Sequence, residues 1–116
     1  DVDMKAVNTA NLNVRAAGLS KDIFEEEILS QLPDHYTSQQ ALIKDIAKVH
    51  GELLFIHPFR EGNGRTSRIL ANLMARKQGY PGLNFKRIDF NEYIIAVQQV
   101  ARKDYSRMEQ IIAYTF

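Results

Sequence analysis

One run of residues concentrates the chemistry this 116-residue chain can offer: His57-Pro58-Phe59-Arg60-Glu61-Gly62-Asn63-Gly64-Arg65-Thr66-Ser67-Arg68. Gly62 and Gly64 flank an Asn just ahead of a helical pattern, and glycine takes backbone conformations closed to residues with a β-carbon. Such a turn can aim several N–H groups at one point, and the helix start that follows adds donors and a partial positive charge. Together these make an anion-binding nest. Arg65 and Arg68, three apart on the first turn, can reach the same side of it. Guanidinium groups are planar, permanently charged and multidentate, so a polyphosphate is the ligand that fits. Glu61 sits beside the nest, where a carboxylate makes sense as a ligand for Mg²⁺, a hard ion that prefers carboxylate and phosphate oxygen. His57, at the other end of the loop, is the residue of this segment whose ordinary pKa suits proton abstraction near neutral pH. A base, a metal ligand, an anion cradle and two phosphate clamps describe a phosphoryl- or nucleotidyl-transfer site. Each has a plainer reading on its own: a capping His, a simple turn, a solvated Arg face. Together those readings need a separate coincidence for every residue.

The pattern around this loop is helical. Ser20 is a candidate N-cap for a helix carrying Phe24, Ile28 and Leu32, stopped by Pro33. Thr37 and Gln40 have the spacing of a capping box. Leu42, Ile46, Val49, Leu53 and Ile56 then form one stripe, widened by Ile43, Ala47 and Leu54, which predicts the most buried helix of a bundle. Pro58 disfavours helical geometry at His57 and should end it. A helix over Asn63–Gln78 is expected to bury Ile69, Leu70, Leu73 and Met74, with Gly79 at its stop and Pro81 beyond. Asp89 and Glu92 form a second capping-box spacing, ahead of an inner face of Phe90, Ile94, Val97 and Ala101. Ser106 and Glu109 form a third, opening a last helix through Met108, Ile111 and Ile112. Residues 1–16 differ: apolar and polar residues alternate, which reads as strand and suggests a short hairpin or an irregular arm. The expectation is an all-α bundle of about five helices forming one domain over residues 1–116, with a flap or arm over 1–18 and a helical core over 19–116.

Composition narrows the function classes. Hydrophobic residues at 45% and charged residues at 25% are ordinary for a globular domain and argue against disorder. Lys+Arg 15 against Asp+Glu 14 leaves a formal charge of +1, without the basic excess of a general nucleic-acid binder. Cysteine is absent, which removes disulfides, thiol nucleophiles and Cys-based zinc sites. No apolar run approaches the roughly 20 residues needed to span a bilayer, so no membrane partner is expected. A zinc hydrolase built on His50 and His57 is disfavoured, because seven residues of helix separate them by about 10 Å. His50 reads instead as a core or loop-supporting residue, and Tyr80, Tyr93, Tyr105 and Tyr114 as packing residues with a polar tip. The chain opens on Asp1, and the expectation is a piece of a longer protein.

The segment His57–Arg68 resembles the signature of the Fic family, His-Pro-Phe-x-(Asp/Glu)-Gly-Asn-Gly-Arg-x-x-Arg, at every fixed position. His50, seven residues earlier, Ala71-Asn72-Leu73, Gly79-Tyr80-Pro81 and Asp104-Tyr105-Ser106 agree as well, so the resemblance covers roughly residues 36–116. It implies a small helical domain that transfers AMP from ATP to a hydroxyl of a target protein. His57 would be the general base and Phe59 the buried anchor of the loop. Glu61 would hold Mg²⁺ between the α- and β-phosphates. Gly62, Asn63 and Gly64 would form the anion hole, with Asn63 on the α-phosphate, Arg65 on the β-phosphate and Arg68 on the γ-phosphate. Residues 1–16 could be the flap that clamps the target as an added strand. Relatives also transfer other nucleotidyl groups, phosphate or phosphocholine. Phosphate-transferring members typically carry Lys for the second Gly, which is intact here as Gly64. A non-catalytic nucleotide-binding module is the further alternative. Many members carry an inhibitory (Ser/Thr)-x-x-x-Glu-(Gly/Asn) helix whose Glu pairs with the second motif Arg. No Ser or Thr here has Glu four positions later, so any carboxylate restraining Arg68 would come from a missing segment or a separate protein. On family grounds the expected location is bacterial cytoplasm, with delivery into a host cell as the alternative.

Overall fold

The computed structural model describes residues 27–56 and 62–116. The expected flap or arm over residues 1–18, most of the helix expected from Ser20, and His57, Phe59 and Glu61 lie outside the described residues. Among the described residues the architecture is all-α. Helices α1 (Gln39–Ile56), α2 (Asn63–Lys77), α3 (Phe90–Val100) and α4 (Ser106–Thr115) are joined by irregular segments and two short 3-10 turns, Leu29–Gln31 and Phe85–Arg87. Where the expected Ser20 helix reaches the described residues, a 3-10 turn stands ahead of Pro33, and Ile28 is buried. No described helix is long and apolar enough to cross a membrane.

Helix α1 is the hub, packing against α2, α3 and α4. Its predicted stripe of Leu42, Ile46, Val49, Leu53 and Ile56 is buried throughout, and His50, Gly51, Glu52 and Leu54 are buried as well. A helix buried on nearly all sides over its second half must be enclosed by neighbours. Those neighbours are Ala71 and Ala75 of α2, Tyr93, Ala96, Val97 and Val100 of α3, and Met108, Ile111 and Ile112 of α4. The helix begins two residues after Thr37, because Ser38 supplies the cap: its Oγ accepts from the Ala41 N–H at 3.1 Å. A Ser hydroxyl on the N3 amide satisfies one of the donors left over at a helix start.

The inner face of α2 differs from the expected one. Ile69 and Leu73 point outward, 60% and 58% exposed, and Leu70 and Met74 are half-buried. The buried residues are Asn63, Gly64, Ser67, Ala71 and Ala75, small groups spaced one helical turn apart. Side-chain size misled the prediction; the short residues let α2 lie close against α1. Its end was legible: Gly79 at φ +91 carries a Schellman motif, with Tyr80 N–H to Ala75 O at 3.1 Å and Gly79 N–H to Arg76 O at 2.9 Å.

Asp89 caps α3 as its spacing implied, accepting from the Glu92 N–H at 3.0 Å. The inner face of α3 is Tyr93, Ala96, Val97 and Val100, whereas Phe90 and Ala101 are exposed and Ile94 is half-buried. The stripe is rotated so that a tyrosine rather than a phenylalanine enters the core. At the start of α4 the capping acceptor is Asp104, whose Oδ1 takes hydrogen bonds from the Ser106 amide and hydroxyl at 3.1 and 2.6 Å. Met108, Ile111 and Ile112 are buried as expected. Tyr114 is 64% exposed, so it is not a packing residue.

Candidate active site

Helix α1 ends at Ile56 and α2 begins at Asn63, so five of the predicted site residues lie within the first two turns of α2 or at its threshold. Gly62 stands just before α2 with φ +78, in the left-handed region where a β-carbon is costly. Gly62 has no side chain to cap this helix start; its carbonyl accepts from the Thr66 N–H at 2.9 Å and begins the helix. Asn63 and Gly64 are buried, which places the positive end of α2 inside the domain. Arg65 is exposed, and its guanidinium folds back over the turn, 3.7 Å from where a β-carbon on Gly62 would stand. Arg68, one turn further on, is half-buried.

A buried polar chain runs beneath this turn. His50, from the middle of α1, is 1% exposed. Its Nδ1 lies 3.1 Å from the Ser67 carbonyl oxygen and its Nε2 2.5 Å from the Tyr93 hydroxyl. Phe85 packs on the imidazole with ring centroids 5.2 Å apart. The polarity of the chain follows from elementary inventory. A carbonyl only accepts, so Nδ1 carries the proton and donates to Ser67. Burial, reinforced by the nearby Arg68 charge and opposed only by the Ser67 bond, holds the imidazole pKa down to about 4. The ring is therefore neutral at pH 7, its Nε2 lone pair is free, and the Tyr93 O–H donates to it. Burial also raises the Tyr93 pKa, so the phenol keeps its proton. The positive charge of Arg68 opposes that rise. The order is Tyr93 to His50 to the carbonyl of Ser67, the residue next to Arg68.

His50 is thus a core residue that supports the loop region, as its spacing suggested. Tyr93 was visible in the sequence only as a packing aromatic; its place four residues after the Asp89 cap was the available signal that it faces inward. A second buried polar group lies away from this turn. Glu52 is 3% exposed and accepts from Lys103 Nζ at 2.7 Å and from the Tyr105 hydroxyl at 2.5 Å. It pins the connection between α3 and α4 to α1. His35 is exposed in the segment before α1. Among the described residues no group of three His, Asp or Glu side chains gathers as a metal site.

Comparison with known proteins gives one family match and three relatives. A family model described as the Fic/DOC family matches residues 3–75, so it takes in the N-terminal segment as well as the loop and most of α2. A protein adenylyltransferase Fic from Aedes aegypti is 34% identical over 73% of this chain and 19% of its own length. A protein adenylyltransferase fic-1 from Caenorhabditis elegans is 39% identical over 48% of this chain and 11% of its own length. A protein adenylyltransferase Fic from Drosophila yakuba is 45% identical over 40% of this chain and 10% of its own length. The matched region spans about a fifth or less of these curated relatives.

Proposed function

The chain belongs to the Fic/DOC family, and on that premise we propose that it is a protein adenylyltransferase that moves AMP from ATP to a Ser, Thr or Tyr hydroxyl of a target protein. The observation that carries this reading is the unbroken run from His57 to Arg68, in which no position of the family signature is degraded. The name shared by the relatives supports it.

In this reading the target hydroxyl oxygen attacks the α-phosphorus of ATP, its bond to that phosphorus forms, and the bond to the bridging oxygen of diphosphate breaks. His57 takes the hydroxyl proton. The turn Gly62-Asn63-Gly64 and the positive end of α2 face the α-phosphate, where negative charge builds up in the transition state. Arg65 and Arg68 hold the outer phosphates and aim the leaving group in line with the attack. Phe59 would anchor the loop. Glu61 is the carboxylate that would hold Mg²⁺. One carboxylate, with the nucleotide's own oxygens completing the shell, is a donor set that Mg²⁺ accepts, since it is commonly bound by one or two carboxylates plus phosphates. When bound, that ion would neutralise phosphate charge. Residues 1–16 would clamp the target by main-chain pairing. No Ser or Thr of this chain has Glu four positions later, so a carboxylate restraining Arg68 would come from another segment or another protein.

The test compares transfer from α-labelled and γ-labelled ATP with Mg²⁺ in a lysate of candidate targets, with His57→Ala as control. Covalent α-label is expected, falling about 10²- to 10⁴-fold in the variant, the contribution of a positioned base. Label from γ-ATP only would mean phosphate transfer and overturn the reading. ATP binding without label from either donor would favour another donor or a non-catalytic module.

A further inference from the structure

We propose that His50 is a positioning residue: by donating from Nδ1 to the Ser67 carbonyl it fixes the axial register of α2 on α1, and with it the places of Arg65 and Arg68. The inference rests on the reading of those two arginines as phosphate-binding groups and adds what sets their height along the helix. Inside a helix the N–H four residues on takes one lone pair of a carbonyl; the second lone pair is left for another donor. At Ser67 that donor comes from α1, with His50 Nδ1 at 3.1 Å. The rest of the ring is held too. Nε2 stands 2.5 Å from the Tyr93 hydroxyl on α3, and Phe85 packs on the imidazole. His50 and Ser67 are 1% and 0% exposed, so water offers no substitute partner. The need for such a bond follows from the residues around it. The buried side of α2 is Asn63, Gly64, Ser67, Ala71 and Ala75. Helices lock by ridges of side chains entering grooves, and residues this short raise shallow ridges. Such an interface permits close approach but distinguishes one register poorly from the next. A buried polar contact distinguishes them well, since a slip of one residue moves the carbonyl about 1.5 Å along the axis and about 100° around it. Arg65 and Arg68 stand two residues before Ser67 and one after it, so the same slip would carry both guanidinium groups off a bound phosphate.

The experiment compares His50→Asn and His50→Gln in the full chain. The Asn amide nitrogen takes the place of Nδ1 and keeps a donor for Ser67. The Gln amide takes the place of Nε2, reaches Tyr93 and leaves Ser67 without its donor. Each variant loses one of the two bonds, so each loses stability. ATP affinity by calorimetry should fall about ten-fold or more in His50→Gln and less than about three-fold in His50→Asn. A second readout needs no nucleotide. The chain has no cysteine, so nitroxides on Lys44→Cys of α1 and Leu73→Cys of α2, both exposed positions, report the register as a distance. It should shift or broaden by about 1.5 Å in His50→Gln and match the parent in His50→Asn. A merely structural role makes ATP affinity follow melting temperature whichever bond is kept, and that outcome overturns the proposal. So does a parent-like label distance in His50→Gln. Arg68→Ala is the control for the premise: unchanged ATP affinity there overturns the phosphate reading, while the label distance judges the register by itself. Should neither variant fold, the imidazole ¹⁵N resonances of the parent decide: a proton on Nδ1 is expected, and a proton on Nε2 would mean that no bond to Ser67 exists.

Discussion

Val100 of α3 packs so closely over Gly51 of α1 that a β-carbon on Gly51 would stand 2.7 Å from Val100 Cγ2. Glycine in mid-helix costs about 1 kcal/mol relative to alanine, and here that cost allows α1 and α3 to approach. Gly51→Ala should therefore lose stability, because overpacking of about 1–3 kcal/mol exceeds the propensity gain. Against a Val100→Ala background the same change should become neutral or stabilising. Urea unfolding of the four proteins reads both signs, and equal effects of Gly51→Ala in the two backgrounds would contradict the contact.

His50 should not gain a proton in the folded chain until the solution is distinctly acidic. Its pKa is lowered from 6.5 to about 4, first by burial. A folded value below the unfolded one means the unfolded chain binds more protons between those limits. The stability His50 contributes is present above about pH 6.5 and is lost as pH falls through about 4. The slope in that window is up to about 1.4 kcal/mol per pH unit from this group. NMR titration of the imidazole Cε1–H resonances checks it: the His50 signal should stay flat from pH 8 to 5. Titration near 6.5 would show a hydrated ring.

Lys103 is the one non-glycine among the described residues with positive φ, at 62°, and it also donates to the buried Glu52. Two opposing terms meet at one position. Lys103→Ala removes the charge-assisted bond and keeps the left-handed backbone. Lys103→Gly removes the bond and relieves backbone strain of about 1–2 kcal/mol. Both should be less stable than the parent, with the glycine variant above the alanine variant by about 1 kcal/mol. Denaturation midpoints decide it, and the reverse order would show that Lys103 carries no strain.

Gly62→Ala should leave the fold cooperative and weaken nucleotide binding. The position is at φ +78, and among the described residues the Arg65 guanidinium, at 3.7 Å, is what lies close to its Cβ direction. The cost is conformational, about 1–2 kcal/mol, and the cheapest relief is to reshape the turn and displace Arg65. Gly62→Asn, which tolerates the left-handed region better, should recover part of the loss. ATP affinity and melting temperature, measured together, separate the two effects.

The elements were legible because they rest on local chemistry: the α1 stripe, the Gly79 stop, the Asp89 cap and the core of α4 all follow from spacing. The inner faces of α2 and α3 were not. Hydrophobicity pointed at Ile69 and Leu73, but the close approach of α2 to α1 selects for Gly64, Ser67, Ala71 and Ala75, a preference that depends on the partner helix. Hydrophobicity likewise favours Phe90 over Tyr93, since a tyrosine belongs inside only when a buried acceptor such as His50 awaits its hydroxyl. The motif itself was readable as consecutive residues. The polar chain beneath it was not, because its members come from three helices and meet only through tertiary packing.

The small-residue face of α2 has a consequence for how this chain can change over time. Arg65, exposed, and Arg68, half-buried, ride on a helix whose height above α1 is set by hydrogens, a hydroxyl and methyl groups. A larger side chain at Ala71 or Ala75 would raise the helix by a fraction of an ångström and carry both guanidinium groups with it. A substitution that filled the interior better could then raise the melting temperature and lose the ligand. Drift at these inner positions is therefore policed by recognition at the surface, and thermostability alone is a poor guide to which of them can vary.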